Sequence, residues 1–189
     1  MKRAEPVRLV DAYSQADVRG RIKIIMSNYS NFSIMVDGME ESLIFLIISD
    51  RRSARSRSSE DLGVRVQTSG TGDPTASEAM TRVELVRAIR TGHMEAELCN
   101  SDCAEEYRRE AETIQNMRED YDLLKAQIKM LPGYEYRVLD SYLRKTHNLV
   151  QMADELQTSY SSVKDTLYRA KKRVRDSAEF YLQRKYAVQ

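Results

Sequence analysis

Asn148-Leu149-Val150-Gln151-Met152-Ala153-Asp154-Glu155-Leu156-Gln157-Thr158-Ser159-Tyr160-Ser161-Ser162-Val163-Lys164-Asp165-Thr166-Leu167-Tyr168-Arg169-Ala170-Lys171-Lys172-Arg173-Val174-Arg175 is the stretch on which the reading of this chain turns. Asn148 is an N-cap type followed by a short helix, Leu149 to Leu156, with Leu149, Met152 and Leu156 on its inner side and Ala153 between them. Three turn residues, Gln157-Thr158-Ser159, lead to another helix that opens at Tyr160 with Ser159 as its cap. At 100° per residue Val163, Leu167, Ala170 and Val174 fall within about 60° of one another. Ser161, Asp165, Tyr168 and Lys172 lie opposite, with Lys164, Lys171 and Arg175 on one flank and Ser162, Arg169 and Arg173 on the other. One face is dry and the remainder is polar and mostly basic.

Two helices that cross closely need a small side chain where they touch, which Ala153 supplies, and the turn leaves only three residues between them. That is the pattern of a helix-turn-helix, in which the second helix buries one face and offers the other to the major groove. A preceding helix, Tyr134 to Arg144, brings Val138, Leu139, Tyr142 and Leu143 to the same small core. The first turns of the second helix enter the groove, so Tyr160, Ser161, Lys164 and Asp165 are the expected base-reading residues. A lysine prefers guanine acceptors. Asp165 either accepts from cytosine or pairs with Arg169 four residues on. Ser162, Thr166, Tyr168, Arg169 and Lys172 suit phosphate contacts, and Lys171 and Arg173 do the same or face solvent. The plainer alternative is a three-helix bundle whose basic helix is only a solvated face.

Composition agrees with a nucleic-acid partner for this end of the chain. Of 189 residues, 30 are Lys or Arg and 29 Asp or Glu, giving a net charge of +1. Residues 131–189 hold 11 basic and 7 acidic side chains, and residues 1–130 hold 19 and 22, so the positive charge is concentrated in the last third. With 41% hydrophobic residues, 31% charged and no Trp, one large enzyme core is not expected. The longest apolar run, Leu43 to Ile48, is far short of the ~20 residues that span a bilayer, and no secretory signal follows Met1 to Arg8. Cys99 and Cys103 read as free thiols of a cytoplasmic protein. With His93 they are too few to hold a metal around a helix break at Asn100-Ser101, and no cofactor is expected. There is no Gly-rich phosphate loop. The remaining histidine, His147, sits in a loop before an N-cap, where solvent or backbone contact suits it better than catalysis. A non-enzymatic protein is expected.

The whole chain reads as all-α. Residues 1–52 form an N-terminal helical region: a helix over 7–29 carrying Val10, Tyr13, Val18, Ile22 and Ile25, an interruption at Gly38, and a second helix from Met39 to Arg52. The middle of that second helix, Leu43 to Ile48, is apolar all round and therefore buried or covered by a partner. Residues 53–76 read as an Arg/Ser/Gly-rich linker. Its edge carries Arg51, Arg52, Arg55 and Arg57, a phosphate contact or a solvated helix end, and it includes a short strand-like Val64-Arg65-Val66. Pro74 signals a helix start, and Ala79, Met80, Val83, Val86 and Ile89 then form an apolar stripe to about Leu98. From Ser101–Asp102 a long helix to Met130 repeats Tyr107, Ile114, Met117, Tyr121, Leu124, Ile128 and Leu131, interrupted at Glu110. Residues 77–130 are thus a helical hairpin or coiled-coil segment. Its seam closes either against 77–98 or between two copies as a homodimer through 101–131. Residues 131–189 are the domain with the helix-turn-helix.

The segment from Leu131-Pro132 through Arg173, above all Asn148 to Leu156 and Ser159 to Lys164, resembles region 4 of sigma-70-type factors. The resemblance implies recognition of a promoter −35 element and contact with host RNA polymerase. Gln157 departs from it, standing where that family usually has Gly, which implies a non-Gly residue at positive φ. The first 130 residues, with only Phe32 and Phe45 and no Trp, do not resemble the promoter-melting region of a sigma factor. Arg57 to Thr75, with Asp61 to Gly70 and Gly72 to Thr75, instead resembles phage regulators of the ArpU and RinA type, which implies activation of late phage genes. Two other readings stay open: a phage small terminase subunit that recognises a packaging site, and an interaction module that grips polymerase or sigma and never DNA.

Overall fold

The computed structural model describes residues 8–60, 74–99 and 101–187, as backbone alone at 55–60 and 74–77. Among them the chain is all-α: α1 (Leu9–Ser14), α2 (Val18–Ser27), α3 (Phe32–Glu60), α4 (Pro74–Thr91), α5 (Glu95–Leu98), α6 (Ala104–Lys129), α7 (Gly133–Arg144), α8 (Leu149–Glu155) and α9 (Tyr160–Ala187). No helix among the described residues is long and apolar enough to cross a membrane. The chain divides into two compact units, Met1–Met35 with Asn116–Gln189, and Val36–Gln115. This grouping departs from the expected divisions after 52, 76 and 130. Composition marked where the charge changes, whereas packing joins the N-terminal helices to the C-terminal ones.

The first unit is organised around α9, which packs on α7, α8 and α2. At 1.5 Å per residue its 28 residues extend about 42 Å. A single apolar stripe, Val163, Leu167, Ala170, Val174, Ala178 and Leu182, is buried along it. The expected single helix over 7–29 is two helices. Asp17 caps α2 by accepting from the Gly20 N–H at 2.8 Å, which closes α1 off behind it. Tyr13, Tyr29, Phe32 and Tyr121 form a ring cluster, with Phe32 and Tyr121 centroids 5.4 Å apart.

Beside this cluster lies a polar hub. The Asp120 carboxylate is fully buried and accepts from the Tyr13 hydroxyl at 2.7 Å, the Tyr186 hydroxyl at 2.7 Å and the Lys185 ammonium at 2.9 Å. The Arg21 guanidinium stands 5.2 Å from the Tyr13 ring centre and 4.3 Å from that of Tyr186, a cation–π sandwich. Burial, then the neighbouring carboxylate, pushes Tyr186 up to about 12 and Tyr13 far above the usual phenol range. Burial opposes the Lys185 charge, but hydrogen bonds to Glu119 and Asp120 outweigh it and raise that pKa too. All three groups hold their protons more tightly folded than unfolded, so their contribution is complete below about pH 10 and is lost as pH climbs through 12. Melting temperature should therefore fall steeply between pH 10 and 12, and less steeply in Tyr186→Phe. An unchanged slope in that variant would remove Tyr186 from the account.

The second unit combines α3 from Val36, α4, α5 and the start of α6. Gly38 does not interrupt α3, because Val36, Glu40 and Leu43 around it are held in the core and outweigh the modest helix cost of one glycine. Leu43, Ile44 and Ile47 are buried but Phe45 is 69% exposed, so the apolar run is covered on one face and not all round. The stripe expected on 77–98 is shifted as well. Leu85, Ala88 and Ile89 are buried while Met80 and Val83 are exposed, and α4 stops at Gly92, whose φ of +75° breaks the helix before α5. Arg51 bonds Glu97 and Arg52 bonds Glu78, so this half of the arginine cluster is engaged with carboxylates. Arg90 pairs with the buried Glu40. Arg55 and Arg57 as side chains, Val64-Arg65-Val66, and the body of the stretch from Arg57 to Thr75 lie outside the described residues.

The seam of α6 is buried inside one chain. Ala111 and Ile114 belong to the second unit and Met117, Leu124 and Ile128 to the first, where Gln127 also bonds Ser177 at 2.6 Å. The seam is therefore not a surface for the homodimer expected through 101–131, nor does it close against 77–98 alone.

Candidate nucleic-acid interface

The start of α9 is held by local chemistry. Asn148 Oδ1 accepts from the Gln151 N–H and Gln151 Oε1 accepts from the Asn148 N–H, both at 2.9 Å, a reciprocal box that fixes the first turn of α8. Met152 and Ala153 of α8 are buried. The chain turns over Leu156–Ser159 with the Thr158 N–H bonded to the Ala153 carbonyl at 3.0 Å, and Gln157 sits at φ +48°. Ser159 Oγ then caps α9 through the Ser162 N–H at 3.2 Å. Left-handed backbone costs an L-residue about 1–2 kcal/mol, partly offset when Gly replaces it because Gly loosens the unfolded chain. Gln157→Gly should therefore raise the unfolding free energy of the full chain by about 0.5–1 kcal/mol in urea titrations. A loss of stability would mean that no strain is stored in the turn.

Most residues expected on the outer face of α9 are exposed there. Tyr160 is 50% and Tyr168 70% exposed, and Ser161, Lys164, Asp165, Arg169 and Lys172 are open to solvent. Lys164 and Lys172 have no carboxylate partner among the described residues. Asp165 makes no ion pair with Arg169, whose guanidinium turns to Thr166 Oγ1 at 3.4 Å. Ser162 is half-buried and its N–H serves the Ser159 cap.

Three of the expected phosphate contacts change. Thr166 is 1% exposed and has no surface to offer, because α9 is covered from three sides and its dry arc is wider than the apolar residues alone mark out. Arg173 bonds Glu135 of α7 at 2.9 Å and would have to exchange that partner for a phosphate. Lys171 is half-buried, with its ammonium 3.6 Å from the centre of the Tyr142 ring.

No family model, no curated protein and no solved structure matches this chain. What the face can bind follows from its own chemistry. Three cations, two phenols, two serine hydroxyls and one carboxylate on a single helical surface combine charge for phosphate with donors and acceptors for base edges.

A set of residues beside this face is not legible in the sequence. A cleft of about 770 Å³ opens between α2, the α7–α8 loop and the middle of α9, and Lys23, Lys145, Lys171 and Arg175 converge on it. Helical periodicity places Lys171 and Arg175 on one flank of α9, but gives no sign that the flank borders a cleft. Lys23 is more than a hundred residues away in sequence, and no local pattern announces that α2 packs on α9. His147 borders the cleft through side-chain contacts, with Nε2 3.2 Å from Glu155 and Nδ1 3.2 Å from the Thr146 hydroxyl.

Proposed function

We propose that this chain is a non-enzymatic, sequence-specific double-stranded DNA-binding transcription regulator. In this reading α8, its turn and α9 work as a helix-turn-helix of the sigma region 4 kind, and the first turns of α9 enter the major groove. One observation carries it: α9 buries a continuous stripe while Tyr160, Ser161, Lys164, Asp165, Arg169 and Lys172 remain exposed on a helix whose first turn Ser159 caps. Lys164 and Asp165 reach base edges, Arg169 and Lys172 hold phosphates, and the tyrosines contact sugar or thymine methyl groups. Thr166 has no part in it. The resemblance to region 4 and to the ArpU and RinA regulators extends the proposal to action at promoters with host RNA polymerase, as an activator of late phage genes.

In vitro selection of bound duplexes, followed by transcription with host polymerase on the selected sequence, tests each step of this reading. Enrichment of one sequence together with stimulated transcription supports the proposal. Enrichment with no effect on transcription, in a protein that sizes as a ring of many subunits, would replace it with packaging-site recognition. An absence of duplex binding at every salt concentration would leave only a protein-interaction module.

A further inference from the structure

The cleft beside α9 is a local concentration of positive charge in a chain that is nearly neutral. Its lining includes Arg19, Lys23, Lys145, His147, Lys171 and Arg175 and no Asp or Glu. Arg19 pairs with Glu179 and His147 with Glu155 at its rim. Lys23, Lys145 and Arg175 have no carboxylate partner among the described residues, and Lys171 is balanced only by the face of the Tyr142 ring. Four such cations gathered in one concavity repel one another, and an anion relieves that repulsion. Met26, Leu143 and Leu149 add apolar surface among them, which suits a ligand that alternates charge with hydrocarbon.

Position identifies the anion. Lys164, Lys171 and Arg175 fall within about 40° of one another on α9, at helical steps of seven and four residues, or about 10 and 6 Å along the axis. The cleft thus continues the flank of the same face whose first turns carry the base-reading residues. A duplex engaged by those turns sends one of its strands along that flank, with a phosphate every ~3.4 Å of axis and a deoxyribose between each pair. We propose that the cleft between α2, the α7–α8 loop and α9 seats this phosphodiester strand, with Lys23, Lys145, Lys171 and Arg175 as its phosphate contacts. The DNA interface is then assembled from two distant parts of the sequence, and α2 is part of it. This inference rests on the DNA-binding reading above.

The test uses the full chain with Lys23→Ala, Lys145→Ala and Arg175→Ala, singly and combined, all at exposed positions whose folding a melting curve confirms. Affinity is measured for a selected and a random duplex from 50 to 300 mM salt. Each phosphate deprived of its cation should lower the slope of log K against log[salt] by about 0.9, or weaken binding roughly 8-fold at 0.1 M salt. The selected and random duplexes should weaken alike, and Lys23→Arg should bind as the parent does. Unchanged slopes in a parent that binds DNA would overturn this inference and leave the reading of α9 standing. A parent that binds no duplex overturns both. Inorganic tripolyphosphate is titrated calorimetrically without DNA as the second arm. Micromolar binding that the three substitutions abolish, with no change in duplex affinity, would assign the cleft to a free phosphorylated compound and overturn the strand proposal.

Discussion

Asp120→Ala should lower the unfolding free energy by about 3–5 kcal/mol, a large part of the 5–15 kcal/mol that holds a typical domain folded. Three donors converge on that carboxylate: the Tyr13 hydroxyl, the Tyr186 hydroxyl and the Lys185 ammonium. Alanine leaves the buried Tyr13 hydroxyl without an acceptor and opens a void beside it, while Lys185 keeps only Glu119, 2.8 Å away and half-exposed. The loss is of partners rather than of apolar area. Tyr13→Phe, which removes one donor and leaves Asp120 two others, should cost only about 1–2 kcal/mol. In the double variant the unpaired hydroxyl is gone, so the two effects should sum to less than their separate values. Urea unfolding of the four proteins measures this directly. Strict additivity would show that Tyr13 and Asp120 do not depend on each other, whatever their separation.

How far the sequence carried the fold depends on how local each signal is. The bounds of α7 and α8 and the start of α9 were legible to within a residue, the last two because Asn148, Ser159 and the short turn between them act on backbone groups three positions away. Positive φ at Gln157, by contrast, was implied only by the resemblance to sigma region 4, where Gly usually stands. Asp120 was invisible for the opposite reason. It lies among Met117, Tyr121 and Leu124 on a helix read as an apolar seam, and its partners stand 107 and 66 residues away. Gly38 shows a local signal overridden, since a glycine costs an exposed helix only about 1 kcal/mol and the buried neighbours supply more. Met80 and Val83 show that apolar spacing gives a face only when something is there to cover it. At the candidate site, the outward positions of Lys164, Asp165, Arg169 and Lys172 came from helical periodicity alone. The burial of Thr166 and the basic cleft depended on tertiary packing, in the cleft's case on α2, which periodicity on α9 cannot place.

Lys164→Ala should weaken binding to a selected duplex by about 1–3 kcal/mol while leaving random-sequence binding nearly intact. Lys164 stands one turn into α9, exposed and without a carboxylate partner among the described residues, on the side that enters the groove in the proposed reading. A lysine there reaches guanine acceptors, and its loss removes an interaction that only the right base supplies. Arg169→Ala and Lys172→Ala should behave differently. Both residues lie one to two turns further along, where the proposed docking would take the helix axis out of the groove and bring the strand backbone close. Each should reduce affinity for selected and random duplexes by the same factor and take about 0.9 from the salt slope. The contrast between the two responses is what gives the assignment content: a uniformly basic, solvated helix would respond to all three substitutions in one way. Equal losses on both duplexes for Lys164→Ala would make it a phosphate contact, and base reading would then fall to Tyr160, Ser161 and Asp165.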